Sequence, residues 1–225
     1  MKEQKSIRDT FDSMAESMLG GGSAKKQRQD SPRIVRLERN TKETHIRLEL
    51  SLDEASEPQL SLGLPFFEHM LRAMAFHGGF GLNIEGKGDT DVDPHHLVED
   101  VGLVLGSALH EALERFGAVQ RYGWALIPMD DALSEAAIDV CRRPYLVYDA
   151  AYPQSHSGDF DMSLFREFFQ ALANRAQINL HLHCRYGHNS HHMSESLFKA
   201  LGKTIAMAYR SADSNLASMS TKGAL

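Results

Sequence analysis

The chain has 225 residues, 42% of them apolar and 24% charged, and its 24 Lys and Arg against 30 Asp and Glu leave a formal charge of −6. Such a composition predicts a globular chain of one or two domains that closes its own core, so a bound metal would serve chemistry rather than folding. The acidic balance excludes a general nucleic-acid binder. Apolar runs such as ALIPM and VGLVLG fall far short of the roughly 18 to 20 residues that span a bilayer, and Cys141 and Cys184 are too few for a disulfide framework. With no signal-peptide pattern at the start, the expected setting is the reducing cytoplasm.

Residues 1–32 read as a flexible extension, a short helical pattern followed by GGGSAKKQRQDSP. From Ile34, the shared parity of Thr44, Ile46, Leu48, Leu50 and Leu52 predicts a half-exposed β-hairpin. LPFFEHMLRAMAFHGG carries helical spacing and a Gly-Gly stop, FGLNIEGKG is strand-like, and HHLVEDVGLVLGSALHEALERFG is an amphipathic helix ending at Gly117. Its buried stripe is Val98, Val101, Leu105, Ala108, Leu109 and Ala112.

The second half repeats this order. YGWALIPMDDALSEAAIDVCRRPYLVYDA supplies strands around a turn, SLFREFFQALANRA a helix, INLHLHCRY a strand, and HHMSESLFKALGKTIAMAYRSA a second long helix. An internally duplicated α+β fold follows, with repeats over 33–119 and 120–225. Its sharpest mark is the triplet HHxxE, because His95 to His191, His96 to His192 and Glu99 to Glu195 are each 96 residues apart. Upstream, Leu82 and Ile84 match Leu180 and Leu182 at an offset of 98, which pairs His69 with Glu167.

On a helix Glu99 projects near both His95 and His96, whereas the adjacent imidazoles diverge by about 100°. Each histidine therefore serves a different ion, with the glutamate completing one of two sites. Duplication with His69 and Glu167 gives eight donors, enough for two centres of four ligands. Imidazole and carboxylate donors without thiolate fit Mn, Fe or Zn, an octahedral ion such as Mn being reasonable. A single triplet could equally be an ordinary helix start with a glutamate favoured by the helix dipole; two in register favour metal. His181 and His183 read as exposed or packed strand residues. The stretch DTDVDP resembles the start of a calcium loop but has Pro94 where a glycine is required.

From about Arg33 to Leu225 the chain resembles the imidazoleglycerol-phosphate dehydratases, the lyases of histidine biosynthesis, through NTKET, FFEHMLRAMAFHGGF, GD before HHLVED, RYG, PMDDAL, RRPYL, YGHNSHHMSESLFKAL and STKG. The resemblance implies a duplicated α+β fold of the ribosomal protein S5 domain 2 type, two Mn²⁺ ions per active site, and a cage-like homo-oligomer of twenty-four subunits with sites at subunit contacts. It implies a hydro-lyase that converts D-erythro-imidazoleglycerol 3-phosphate to imidazole-acetol phosphate through a metal-bound imidazolate. Metal positions carry over to His69, His95, His96, Glu99, His191, His192 and Glu195, while the eighth, a histidine in the family, is Glu167 here.

Glu43 matches a substrate-contacting glutamate, and Glu43, Glu195 and His69 are the catalytic candidates, with Glu43 or Glu195 as general base. His77, Arg121, Arg143, Lys199, Ser220, Thr221 and Lys222 carry over as substrate and phosphate contacts, an arginine fork suiting a phosphate well. Taken alone, Lys199 four residues after Glu195 could be an ordinary helix-surface pair. Other departures are Asp91 for His, Pro94 for Asp, Leu97 for Thr, and Cys141-Arg142 for Ser-Gly. With Glu167, they set against the enzyme a second reading, a non-catalytic or specialised relative that keeps fold and metals. A phosphoester hydrolase is disfavoured, because its donors usually come from strand-end loops.

Overall fold

A computed structural model of the chain describes residues 31–212; the 1–32 extension lies outside them except for its last two residues, as do Ser220, Thr221 and Lys222. The first repeat runs β1 (Ile34–Asn40), β2 (Thr44–Ser51), β3 (Gln59–Ser61), α1 (Pro65–Gly78), β4 (Gly81–Gly88) and α2 (His95–Phe116). The second runs β5 (Tyr122–Met129), β6 (Ala132–Asp139), β7 (Tyr145–Asp149), the small hairpin β8 (His156–Ser157) and β9 (Phe160–Asp161), α3 (Leu164–Ala176), β10 (Asn179–Tyr186) and α4 (Ser190–Ala208). Within the described residues, every helix and long strand expected from the patterning is present; the short helical pattern read in 1–32 lies outside them. The short β3, β8 and β9 add to them, being too short for any periodicity to show.

Both halves build the same sheet. Strand order is β1-β2-β4-β3 in one and β5-β6-β10-β7 in the other, and in each the last strand runs parallel to its neighbour. The duplication holds residue by residue: Val35↔Leu50 in the first sheet corresponds to Gly123↔Ile138 in the second, and Leu60↔Ile84 to Tyr148↔Leu182. Strands β1 to β3 thus map onto β5 to β7 at an offset of 88 (123 less 35), and β4 onto β10 at 98 (182 less 84). The difference of ten residues falls where the second repeat inserts the β8–β9 hairpin.

Alternation buries one face of each sheet. Val35, Ile46, Leu48, Leu50, Leu82 and Ile84 turn inward from the first, and Ala136, Ile138, Leu180 and Leu182 from the second. The predicted stripe of α2 is buried throughout. Packing between the halves is crossed, because the short helix of each repeat lies against the long helix of the other, α1 on α4 and α3 on α2. Two equivalent glycines permit these crossings. A Cβ at Gly106 would meet the Leu172 carbonyl oxygen at 2.6 Å, and one at Gly202 would come closer still to the Met74 carbonyl. The crossing carries the His69 segment of the first repeat to the second HHxxE triplet. An aromatic cluster of Phe67, Phe160, Phe165, Phe168 and Phe198 fills the space beneath.

Candidate metal centre

Asn189 caps α4, its side-chain oxygen accepting from the backbone N–H of His191 at 2.9 Å and of His192 at 3.4 Å. The second histidine pair is thereby fixed in the first turn, where the helix begins regardless of any ligand. At α2 the corresponding N-cap position is Pro94, and the Asp93 carboxylate, one residue earlier, accepts from the His95 N–H at 2.7 Å. The paired rings diverge as expected. His95 and His96 stand at 87° with centroids 5.9 Å apart, and His191 and His192 at 80° and 6.0 Å.

Among the described residues, one group of three metal-type donors converges, and it consists of His69, His191 and Glu195, whose ligand atoms all lie within 4.8 Å of one another. Glu195 Oε2 is 3.3 Å from His69 Nε2 and 3.1 Å from His191 Nε2, while its Oε1 accepts from the Lys199 ammonium at 2.7 Å. A carboxylate oxygen about 3 Å from each of two imidazole nitrogens matches the spacing of adjacent ligands around a cation with bonds near 2.1 Å. The donor set fits a divalent ion of the Mn, Fe or Zn class. Burial opposes ionisation of Glu195, but the Lys199 hydrogen bond and charge, with His69, outweigh it and hold the carboxyl below its ordinary range.

The equivalent set in the other half is looser. His95 Nε2 and Glu99 Oε2 are 3.7 Å apart, a helical pair like His191 and Glu195. Glu167 sits half-buried in the first turn of α3, the helix packed on α2, but is not part of a converging group of three. Crossed packing explains the geometry, since Glu167 stands to His95 and Glu99 as His69 stands to His191 and Glu195. The described residues of a single chain gather three donors at one centre.

His96 and His192 turn away from these sets toward carboxylates that the sequence did not single out. His96 Nδ1 is 3.1 Å from Asp89 Oδ2, and His192 Nδ1 is 2.5 Å from Asp131 Oδ1. The hydrogen bond that the Asp89 carboxylate accepts raises the His96 pKa. Asp131 is held well below the usual carboxylate range, first by His192 and then by the backbone N–H groups of His188 and Asn189. Both aspartates lie inside GD and PMDDAL, motifs visible in the sequence whose contacts were not. Glu43 is exposed on the β1–β2 turn, its Oε2 4.0 Å from His96 Nδ1.

The expected phosphate contacts divide into two places. Lys199 joins the Glu195 cluster, and His77 lies farther along α1, its pKa lowered first by burial and then by the charges of Lys199 and Lys203, which keeps the ring neutral. Arg121 lies at the other end of α4, its N–H donating to the Ala208 carbonyl at 3.0 Å and its guanidinium paired with Asp139 at 2.7 Å. From His191 to Ala208 the helix rises about 26 Å, so Arg121 cannot reach the donor cluster of its own chain. Arg143 is exposed at the same far end, its carbonyl accepting from Asn179 Nδ2 at 2.5 Å. Of the remaining departures, Leu97 is buried beneath the start of α2 and Arg142 pairs with Glu114 at 2.5 Å.

The family model for imidazoleglycerol-phosphate dehydratase matches residues 62–205. A protein of that description from Pelobacter propionicus is 48% identical over 193 residues, which cover 86% of this chain and 99% of the relative. One from Acidithiobacillus ferrooxidans is 45% identical over 197 residues, covering 87% and 98%. Among solved structures, the dehydratase from Staphylococcus aureus superimposes with a TM-score of 0.72 at 34% identity, over 80% of this chain and 99% of that one. That from Pyrococcus furiosus, solved in complex with (S)-C348, gives 0.73 at 34%, over 84% and 100%.

Proposed function

Because the chain belongs to the imidazoleglycerol-phosphate dehydratase family, hydro-lyases of histidine biosynthesis, we propose that it dehydrates D-erythro-imidazoleglycerol 3-phosphate to imidazole-acetol phosphate with two Mn²⁺ ions per active site. The observation that carries this reading is the converging trio His69, His191 and Glu195, with its half-formed counterpart His95, Glu99 and Glu167.

The chemical difficulty is a proton on a carbon that has no carbonyl beside it. Bound Mn²⁺ would supply Lewis-acid polarisation of the substrate ring, making the azole an electron sink. His69, His191 and Glu195 would hold one ion and His95, Glu99 and Glu167 the other, with His96 and His192 as further, diverging ligands. Against the opposing effect of burial, Lys199 holds the Glu195 carboxyl below its ordinary range. The hydroxyl on the carbon next to the ring leaves as water with a proton drawn from solvent, and the neighbouring carbon gives its own proton to the exposed Glu43 carboxylate, which returns it to solvent. Loss of that proton yields an enol, which tautomerises to the ketone. Of the three catalytic candidates, Glu43 suits the role of base, since Glu195 is engaged by Lys199 on one oxygen and by two imidazoles on the other.

Arg121 and Arg143 reach a phosphate only from a second copy of the chain, which supports the expected cage-like homo-oligomer. Its two open sheet faces differ. The first carries the ion pairs Arg36 with Glu49 and Arg47 with Glu38. The second exposes Trp124, Leu126 and Tyr145, with Trp124 67% accessible, an apolar surface that a second copy would cover. Both cysteines are free, and no helix of the described residues is long and apolar enough to cross a membrane; membership of a biosynthetic family suits a place in the cytoplasm.

Glu167 favours one competing reading, a non-catalytic relative that keeps the fold and the metals. The two separate in an assay of purified protein with Mn²⁺ and imidazoleglycerol phosphate, wild type beside Glu167→His. Wild-type turnover within about tenfold of the variant, roughly 1.4 kcal/mol in barrier, is expected. A silent wild type rescued by histidine would establish the competing reading instead.

A further inference from the structure

The offsets that relate the two halves make Glu43 and Asp131 equivalent. Each is the second residue of the two-residue turn in a hairpin, after Thr41 and before Thr44 in one, after Met129 and before Ala132 in the other, at the offset of 88 found for β1 to β3. His96 and His192 are equivalent at 96. Equivalent carboxylates therefore face the same Nδ1 atom of equivalent histidines, yet the contacts are unequal. Asp131 Oδ1 is 2.5 Å from His192 Nδ1, and its Oδ2 accepts from the backbone N–H groups of His188 and Asn189 at 2.5 and 3.0 Å. Glu43 stands off at 4.0 Å.

What intervenes in the first half is Asp89, just after β4, with oxygens 3.2 and 3.1 Å from His96 Nδ1. At the offset of β4, Asp89 corresponds to Gly187, which has no side chain to offer. A Cβ there would run into the Met193 side chain, which would have to shift to admit it. One half thus holds its second histidine from the loop, the other from the turn.

We propose that Asp89 and Asp131 are positioning residues that hold His96 and His192 by Nδ1, and that Asp89 thereby releases Glu43 from the task its equivalent Asp131 performs, leaving Glu43 available as the base. An Nδ1–H donating to a carboxylate fixes the tautomer in which Nε2 carries the lone pair, orients the ring, and raises its strength as a ligand. A turn carboxylate locked to a histidine and two backbone N–H groups is unavailable for proton transfer. Duplication supplied two such carboxylates, and the extra aspartate accounts for their different surroundings. The inference rests on the functional reading above, since it takes His96 and His192 to be metal ligands.

The test measures Mn²⁺ affinity and stoichiometry of the full-length assembled protein by electron paramagnetic resonance of free Mn²⁺, with metal-free melting temperature alongside. Loss of such an orienting carboxylate typically costs about 10- to 100-fold in metal affinity, and D89A is expected in that range. D89N, whose amide oxygen still accepts from Nδ1–H, loses less, and D131N weakens binding in the same way. E43Q alone stays within about twofold of wild type. In D89A the nearby Glu43 takes over in part, so E43Q/D89A binds more weakly than D89A. Wild-type affinity in D89A, or a loss in E43Q as large as in D89A, would overturn the assignment. If D89A does not fold, nearly isosteric D89N decides by the same reading, wild-type affinity again overturning it. A wild type that binds no Mn²⁺ would remove the functional reading as well, whereas two ions bound by wild type and by an unaltered D89A remove only the role of Asp89.

Discussion

Replacing Lys199 with methionine probes how the converging trio is balanced. The Lys199 and Glu195 side chains are 18% and 11% exposed, so solvent screens their 2.7 Å contact little. A hydrogen bond between charged groups contributes about 1.5 to 3 kcal/mol net. Its loss leaves a shielded carboxylate facing only His69 and His191, at 3.3 and 3.1 Å. Metal-free K199M should therefore lose about 2 to 3 kcal/mol, which at this chain length is a fall of about 4 to 12 °C in melting temperature. Saturating Mn²⁺ supplies positive charge to the same carboxylate, so the loss should shrink to below about 1 kcal/mol.

The pH dependence follows with its sign. Glu195 ionises more readily in the folded chain than in the unfolded one, so its contribution is present above the ordinary glutamate pKa and disappears as pH falls through the depressed folded value. K199M raises that value and should move acid unfolding to higher pH. The assay is thermal unfolding with chelator and with Mn²⁺, across acidic pH. Equal losses in both conditions, or no loss in chelator, would refute the argument that Lys199 stands in for part of the cation's charge.

Three further perturbations test other parts of the account. Gly202→Ala drives a methyl against the Met74 carbonyl at the crossing of α1 and α4, and should destabilise by about 1 to 3 kcal/mol in chemical denaturation; an unchanged midpoint would mean the crossing adjusts freely. Trp124→Glu places a charge on the apolar sheet face and should shift sedimentation toward smaller species with loss of turnover; an intact assembly would show that this face is not a subunit contact. Glu43→Gln should lower kcat by at least about 100-fold with little change in KM, as expected of a general base; near-normal kcat would pass the role to Glu195 or His69.

Much of this arrangement is legible in the sequence because the informative residues keep constant spacing. The HHxxE triplets and the Leu82 and Leu180 register announce the duplication, and the offset of 98 brings His69 and Glu167 into correspondence by residue number alone. The 88-residue offset of the leading strands is hidden, because their outward residues have diverged from Arg36 and Glu38 in one half to Trp124 and Leu126 in the other. Asp89 and Asp131 are inconspicuous for a different reason: a carboxylate seven or 61 residues from its histidine leaves no periodic trace. Nor can spacing reveal that α4 separates Arg121 from His191, since that follows from the bond between Arg121 and the far end of the helix. Glu167 is conspicuous as a departure from its family, but its distance from His95 and Glu99 depends on how α3 meets α2.

The most direct measurement is anomalous diffraction at the manganese edge from crystals of the full-length protein grown with Mn²⁺. The account predicts two ions per chain, one bonded to Nε2 of His69, Nε2 of His191 and Oε2 of Glu195, the other beside His95, Glu99 and Glu167. No manganese against the first trio, in crystals of protein that turns over substrate, would contradict it.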